Sequence, residues 1–219
     1  YVHLGDASAH TDHISQTSDD RWVFTEDNPN RELQVAACLA GISRALKGYN
    51  DALSEDCLKI ARELFATTRC DNNWILNAKI HAAVELYLAT QEKEYSNFVL
   101  DQQEYICKNI RQTGWYIGRF DKAIGNKKFS KNIRKALPEL QQMYQEYSVR
   151  TPYGVPHDRG NLSSGSWEPQ HLGYNYCYLH DAYPDLFEPD YIFNAVQYLL
   201  GMHPGQNQSA FVTGVGAET

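Results

Sequence analysis

The chain has 219 residues, with 27 acidic against 20 basic side chains and a formal net charge of -7 at pH 7. That length allows one large domain with a substantial core, while the charge argues against nucleic acid or an anionic membrane as the main partner. No apolar run approaches the roughly 18 residues that a membrane-crossing helix needs. The sequence opens on Tyr1 and stops at Thr219 just after a loop motif, so 1–219 reads as the central part of one domain, cut at both ends.

Residues 1–29 carry no sustained period and read as a long structured loop, in which Trp22, Val23 and Phe24 argue against disorder. From Arg31 to Leu46, the residues Leu33, Ala36, Ala37, Ala40 and Leu46 fall near helical spacing, with Gly48 as the stop. Ser54 reads as the cap of a second helix whose apolar face is Cys57, Leu58, Ala61, Leu64 and Phe65. Asn72 or Asn73 opens a third, Trp74 to Thr90. A fourth spans Lys93 to Gln112 and ends at Gly114. A short fifth runs from Trp115 to Ile124. Ser130 opens a sixth, to Tyr147, whose Pro138 calls for a kink or a later start. After the loop 151–166, a seventh helix begins near Trp167 with Pro169 in its first turn, and an eighth covers Tyr191 to Leu200. No stretch reads as a hairpin or an alternating strand.

The expected class is therefore all-α. About eight helices on short connections mean stacked antiparallel hairpins, which form either an open solenoid or a closed toroid. No fixed-period repeat marks a solenoid family. The five cysteines are odd in number, widely spaced and mostly in apolar helical contexts, so they read as buried core residues in a reducing, cytoplasmic compartment. There is no CxxC pair, no zinc-like spacing and no run of oxygen ligands for calcium, so no metal or cofactor is expected.

Two loops hold the chemistry. After Leu200 the helical pattern breaks at Gly201, Pro204, Gly205, Gly214 and Gly216, which shape a loop. There His203, Gln206, Asn207 and Ser209 supply uncharged donors and acceptors, which suit a hydroxyl-rich ligand. A helix end followed by an ordinary connection fits the same composition. The stretch Thr151 to His171 is shaped in the same way by Pro152, Gly154, Pro156, Gly160 and Gly165, and it carries His157, Asp158, Arg159 and Trp167. Between them in interest lies Gly114-Trp115-Tyr116-Ile117-Gly118-Arg119, read as a joint between two helices. There Trp115 could stack on a sugar face and Arg119 bond its hydroxyls, or Trp115 could be a core residue.

Leu-Gly-x-x-Pro-Gly followed by Phe-Val-Thr-Gly-Val-Gly resembles the loop closing the active-site face of glycoside hydrolase family 9, the cellulase family with an (α/α)6 barrel. Other segments extend the resemblance over nearly the whole chain. Tyr1-Val2-His3-Leu4-Gly5-Asp6 is similar to a family segment that leads to a substrate-contacting histidine, here His10. Ala83 to Thr90 is similar to the family's Ala-x-x-Leu-Tyr-x-Ala-Thr helix end, and Pro152-Tyr153-Gly154-Val155-Pro156 resembles its exo-acting members. The resemblance implies part of an (α/α)6 barrel and an O-glycosyl hydrolase that acts with inversion on β-linked gluco- or glucosamine-type oligosaccharides.

It further implies substrate contacts at His10, Trp115, Arg119, His157, Trp167, His171 and His203. His171 stands where the family often has arginine, and His81 where it often has an aromatic platform. Glu85 reads as a surface or helix-interface charge. The acid and base that glycoside hydrolysis needs are expected outside this chain, with Asp6 and Asp12 as the fallback. Two alternatives stay open. One is another (α/α)6 carbohydrate enzyme, a lyase or epimerase, with His10 or His157 essential; the other is a helical-repeat scaffold for a protein partner.

Overall fold

The computed structural model describes residues 27–150, 152–156, 167–202 and 210, and the backbone alone at 2–3, 22–23 and 167–168. Among the described residues, nine helices and one short strand pair are formed. The pair corrects the strand-free expectation: β1 (Val2–His3) runs antiparallel to β2 (Trp22–Val23), with Val2 opposite Val23 and His3 opposite Trp22. Two residues per strand are too few to show an alternating pattern in sequence.

Asparagine side chains cap four of the described helices. Asn28 opens α1 (Pro29–Leu46) by accepting from the Arg31 N–H, with Pro29 in the first turn, where its missing donor costs nothing. Asn50, not Ser54, opens α2 (Asp51–Thr67). The Ser54 hydroxyl is buried and donates to the Ser43 carbonyl at 2.7 Å, tying α2 to the end of α1. Asn72 caps α3 (Asn73–Thr90) at 3.0 Å from the Ile75 N–H. Ile80, Ala82, Ala83, Val84 and Leu86 of α3 are all fully buried, so this helix is enclosed on most sides.

The expected helix from Lys93 to Gln112 is three pieces: α4 (Lys93–Asp101), α5 (Gln103–Lys108) and the first turn of α6 (Ile110–Ile124). Gln102 and Asn109 leave helical geometry between them. The Asn109 side chain donates to the Tyr105 carbonyl at 2.8 Å, and the Thr113 hydroxyl sits 3.1 Å from the carbonyls of Ile106 and Asn109. These local bonds satisfy carbonyls that the interruption frees. Gly114 does not end a helix. It lies inside α6, where an added Cβ would stand 2.5 Å from Leu140 Cδ2; at Gly118 one would stand 2.8 Å from the Ala182 Cβ. Both glycines admit neighbouring helices, and Trp115 is consequently mid-helix rather than at a joint. Gly125, at φ +62°, ends α6. Asn126 then caps α7 (Lys127–Ser148), which starts before the expected Ser130 and contains Pro138. Helices α8 (Trp167–Ala182) and α9 (Asp190–Leu199) follow.

The helices pack as four hairpins: α1 with α2, α3 with α4, α6 with α7, and α8 with α9. Within them α1, α3, α6 and α8 also pack side by side in that order. These four inner helices run the same way, because each is separated from the next by a return helix or pair. A buried apolar cluster extends through the assembly, from Ala36 of α1 to Phe187 beyond α8. The cysteines are not uniformly part of it. All five are free thiols, but only Cys57 is buried, while Cys38, Cys70 and Cys177 are exposed. Apolar neighbours in sequence did not place them on the apolar face, so burial lends no support to the compartment reading.

Candidate functional site

The inner helices share one concave wall with two adjoining cavities. A cavity of about 370 Å³ is lined by the early residues of each helix: Asn30 and Gln34 of α1, Trp74 of α3, Gln112 and Trp115 of α6, and His171 of α8. A second, of about 530 Å³, is lined by later ones: Arg44 of α1, Glu85 of α3, Arg119 of α6, and Tyr174 and Tyr178 of α8. Cys38, His81 and Trp115 line both. Residues three and four apart share a helix face, so each helix contributes one row running from the cavity at the helix N-termini, termed the mouth, to the one farther along the helices around Glu85, termed the interior.

Aromatic contacts set the junction. The His81 ring lies against the Tyr116 ring at 4.7 Å with planes 21° apart, and meets Trp115 edge-on at 4.9 Å. Tyr116 is buried, and its hydroxyl donates to Asn77 Oδ1 at 2.6 Å; that burial holds its phenol well above the ordinary range. Trp115, half-buried, lies nearly parallel to Tyr178 at 6.4 Å.

Deeper in, Glu85 is the one carboxylate among the described residues lining either cavity, and both its oxygens are taken. Arg119 Nη1 reaches Oε1 and Arg44 Nη2 reaches Oε2, each at 2.5 Å, while Arg44 Nη1 donates to the Glu85 carbonyl at 2.9 Å. His81 Nε2 stands farther off, 3.7 Å from Oε1. Only 5% of the Glu85 side chain is exposed. Burial alone pushes its carboxyl up, but His81 and the two guanidinium groups together outweigh burial and bring it down to about 2. The Arg119 guanidinium also lies 4.5 Å over the Tyr178 ring. The Tyr178 hydroxyl donates to that of Tyr174 at 2.6 Å, and burial, with that bond, lifts Tyr174 to about 12.

Three of the sequence-predicted residues, Trp115, Arg119 and His171, thus stand on the same wall. Trp167 opens α8 by its backbone. His10, His157 and His203, and the fallback Asp6 and Asp12, lie outside the described residues. The Pro152–Pro156 segment is held against α9: Asn194 donates to the Gly154 carbonyl at 3.1 Å, and the Tyr153 and Tyr198 rings meet at 4.8 Å. Trp74, Gln34, Arg44, Tyr174 and Tyr178 were missed. On α8 the signal was present, because His171, Tyr174 and Tyr178 recur at helical spacing opposite the buried Tyr176 and Leu179. Among the described residues, no group of three or more His, Cys, Asp or Glu is placed to hold a metal ion, and no helix is long and apolar enough to cross a membrane.

The model of glycosyl hydrolase family 9 matches residues 1–219. The chain belongs to glycosyl hydrolase family 9. Solved structures agree on the fold. An endoglucanase from the termite Nasutitermes takasagoensis superposes with a TM-score of 0.64 at 18% identity, over 87% of this chain and 48% of that one. A metagenome-derived family 9 endoglucanase gives 0.61 at 18% identity, over 86% and 39%. A cellulase of C. cellulolyticum gives 0.66 at 15% identity, over 98% and 53%. The four hairpins are therefore part of an (α/α)6 barrel, which decides between solenoid and toroid. The chain spans about half the length of the solved structures it matches. No curated protein matches it in sequence.

Proposed function

We propose that this chain forms the substrate-binding wall of a family 9 glycoside hydrolase acting on β-linked gluco- or glucosamine-type oligosaccharides. The observation that carries this reading is the mouth cavity, where the indoles of Trp74 and Trp115 and the side-chain amides of Asn30, Gln34 and Gln112 converge. Aromatic faces stack on the C–H face of a pyranose, and amides bond its hydroxyl rim from both donor and acceptor sides. In this role Trp115 and His171 meet the sugar at the mouth, and Arg119, held by Glu85, offers its remaining donors from about one turn deeper. Trp167, His10, His157 and His203 are proposed to complete the contacts.

Hydrolysis with inversion needs one carboxyl group that holds a proton for the leaving oxygen and one carboxylate that activates water. Glu85 fits neither role. Held near 2, it carries no proton to donate at ordinary pH, and with both oxygens on guanidinium groups it is a weak base. The reacting pair is accordingly proposed outside the chain, and the exo-type preference for short oligosaccharides rests on the Pro152–Pro156 segment.

The test is hydrolysis of p-nitrophenyl and disaccharide β-glucosides and β-glucosaminides by the native-length protein, with the product anomer followed by NMR. Release of the inverted anomer is expected, and Asp6→Asn and Asp12→Asn should leave turnover largely intact. No release from any of these substrates would sink the reading. Retention would overturn the mechanism, and loss of turnover in either Asp variant would bring the base into this chain.

A further inference from the structure

We propose that a cavity at the junction of α6 and α7 binds a small hydroxylated dianion, a polyol phosphate, with lysines of α7 on its phosphate and Asp121 on a hydroxyl. The cavity shares no lining residue with the two on the sugar-binding wall, so the site is independent of the function proposed above.

The cavity measures about 570 Å³, within the range of small-molecule sites. Asp121 of α6 lines it, with Lys127, Ser130, Lys131, Arg134 and Lys135 of α7. It lies where α6 ends. Gly125, also in its lining, comes ten residues after Trp115, roughly 15 Å farther along the helix axis.

The basic residues run against local helix chemistry. Residues 127–135 hold Lys127, Lys128, Lys131, Arg134 and Lys135 and no acid, in a chain whose net charge is -7. Cations in a first turn face the positive end of the helix dipole, and Lys127, Lys131 and Lys135, four residues apart, repel along one face. Of the cations lining the cavity, Arg134 is neutralised by Asp185 at 2.8 Å. The three lysines are exposed, and neither their ammonium groups nor the Ser130 hydroxyl has a partner among the described residues. The helix end itself is taken, because Asn126 Oδ1 accepts from the Lys128 and Phe129 N–H groups. The uncompensated positive charge is therefore on side chains. Three ammonium groups at one cavity suit a doubly charged phosphate better than a single carboxylate.

Asp121 narrows the ligand. A bare anion gains nothing from a carboxylate in the same cavity. Asp121 is 7% exposed; its Oδ2 accepts from the Tyr183 hydroxyl at 2.9 Å, and its Oδ1 is buried with no hydrogen-bond partner among the described residues. Burial and the neighbouring carboxylate push the Tyr183 phenol up, so its one proton stays on the bond to Oδ2 and Oδ1 receives none. An unpaired buried oxygen costs stability, and a hydroxyl reaching it from the cavity relieves that cost. A molecule that meets both demands carries a phosphate for the lysines and a hydroxyl for Asp121.

The experiment is calorimetric titration of the native-length protein with glycerol 3-phosphate, glycerate, inorganic phosphate and a short glutamate peptide. None of these is a pyranose, so the sugar wall does not compete for them. Glycerol 3-phosphate should bind about tenfold more tightly than glycerate or inorganic phosphate. Lys127→Gln combined with Lys131→Gln should weaken both phosphates about tenfold, with an unchanged melting temperature because both positions are exposed. Asp121→Asn should move the two phosphates apart from each other's wild-type pattern. It removes a negative charge, so inorganic phosphate binds as tightly or more tightly, while the preference for glycerol 3-phosphate falls to within about twofold as the charged acceptor is lost. A folding defect would weaken both alike. Equal wild-type affinity for glycerol 3-phosphate and inorganic phosphate overturns the hydroxyl contact and the proposal with it. Binding that the double lysine variant leaves unchanged puts the ligand elsewhere and overturns the site, as does no binding at all. Tighter binding of the glutamate peptide than of glycerol 3-phosphate overturns the small-molecule site in favour of an acidic protein partner.

Discussion

The same four helices build the mouth and the interior of the wall, yet they treat polar groups in opposite ways. In the interior, Glu85, Arg44, Arg119, Tyr174 and Tyr178 satisfy one another: two ion pairs, a cation over a ring and a hydroxyl pair. At the mouth, about two to three turns closer to the helix N-termini, Gln34, Gln112 and the Trp74 indole have no such partners among the described residues. Buried polar groups must be paired or they cost stability, whereas groups at an open cavity can wait for a ligand. The difference separates residues that hold the inner helices together from residues available to substrate, and the two sets should respond differently to substitution.

The largest effect belongs to the interior. Glu85→Gln leaves Arg119 and Arg44 without a counter-charge in a mostly buried setting, and should cost about 3 kcal/mol of unfolding free energy. Denaturant titration measures it, with the loss well above the 0.5 kcal/mol typical of surface changes. Its pH dependence has a definite sign. The Glu85 carboxyl is lowered from 4.5 to about 2 in the folded chain, so its contribution is fully present above about pH 4.5 and fades as pH falls towards 2. The gap between wild type and Glu85→Gln should therefore be constant near neutrality and close on acidification. A gap that widens on acidification would contradict the ion-pair account.

Trp115 stands at the boundary and should show both responses. Trp115→Ala removes ring contacts with His81, Tyr116 and Tyr178 from a half-buried site. Loss of about 2 kcal/mol of stability is expected, less than for a fully buried tryptophan. Sugar affinity should fall at every oligosaccharide length. Unchanged stability with lost affinity would move Trp115 wholly into the mouth set.

How far this division could be read from sequence depended on whether its cause was local. Helix α3 was legible because Asn72 caps it and its apolar run is continuous; α8 and α9 were legible from the prolines at their starts, Pro169 in the first turn of α8 and Pro189 just before α9. The breaks at Gln102 and Asn109 were not, since one residue leaving helical geometry does not disturb the spacing around it. Gly114 was misread because a glycine that stops a helix and one that admits a neighbour look alike. Leu140, which decides between them, is remote in sequence. Glu85 is the sharpest case within the site: its partners Arg44 and Arg119 lie 41 and 34 residues away, so nothing near it in sequence shows that its charge is spent. The Pro and Gly loops drew attention away from side chains on the helices themselves, Gln34 and Trp74 among them.

The smallest effect lies at the mouth. Gln34 is exposed on α1 beside Asn30 and Cys38, and its amide has no protein partner among the described residues. Alanine there removes no internal hydrogen bond and raises helix propensity slightly, so stability should stay within about 0.5 kcal/mol of wild type. If the amide bonds a sugar hydroxyl, affinity should fall by about 1 kcal/mol, or roughly fivefold. Gln34→Glu is the more discriminating change. It keeps the shape and the acceptors but places an uncompensated charge at an uncharged mouth. Neutral oligosaccharides should then bind more weakly, and glucosamine-type sugars should gain relative to them. A variant with that reversed preference and wild-type stability would show the mouth to be chemically open, whereas a melting shift as large as that of Glu85→Gln would erase its distinction from the interior.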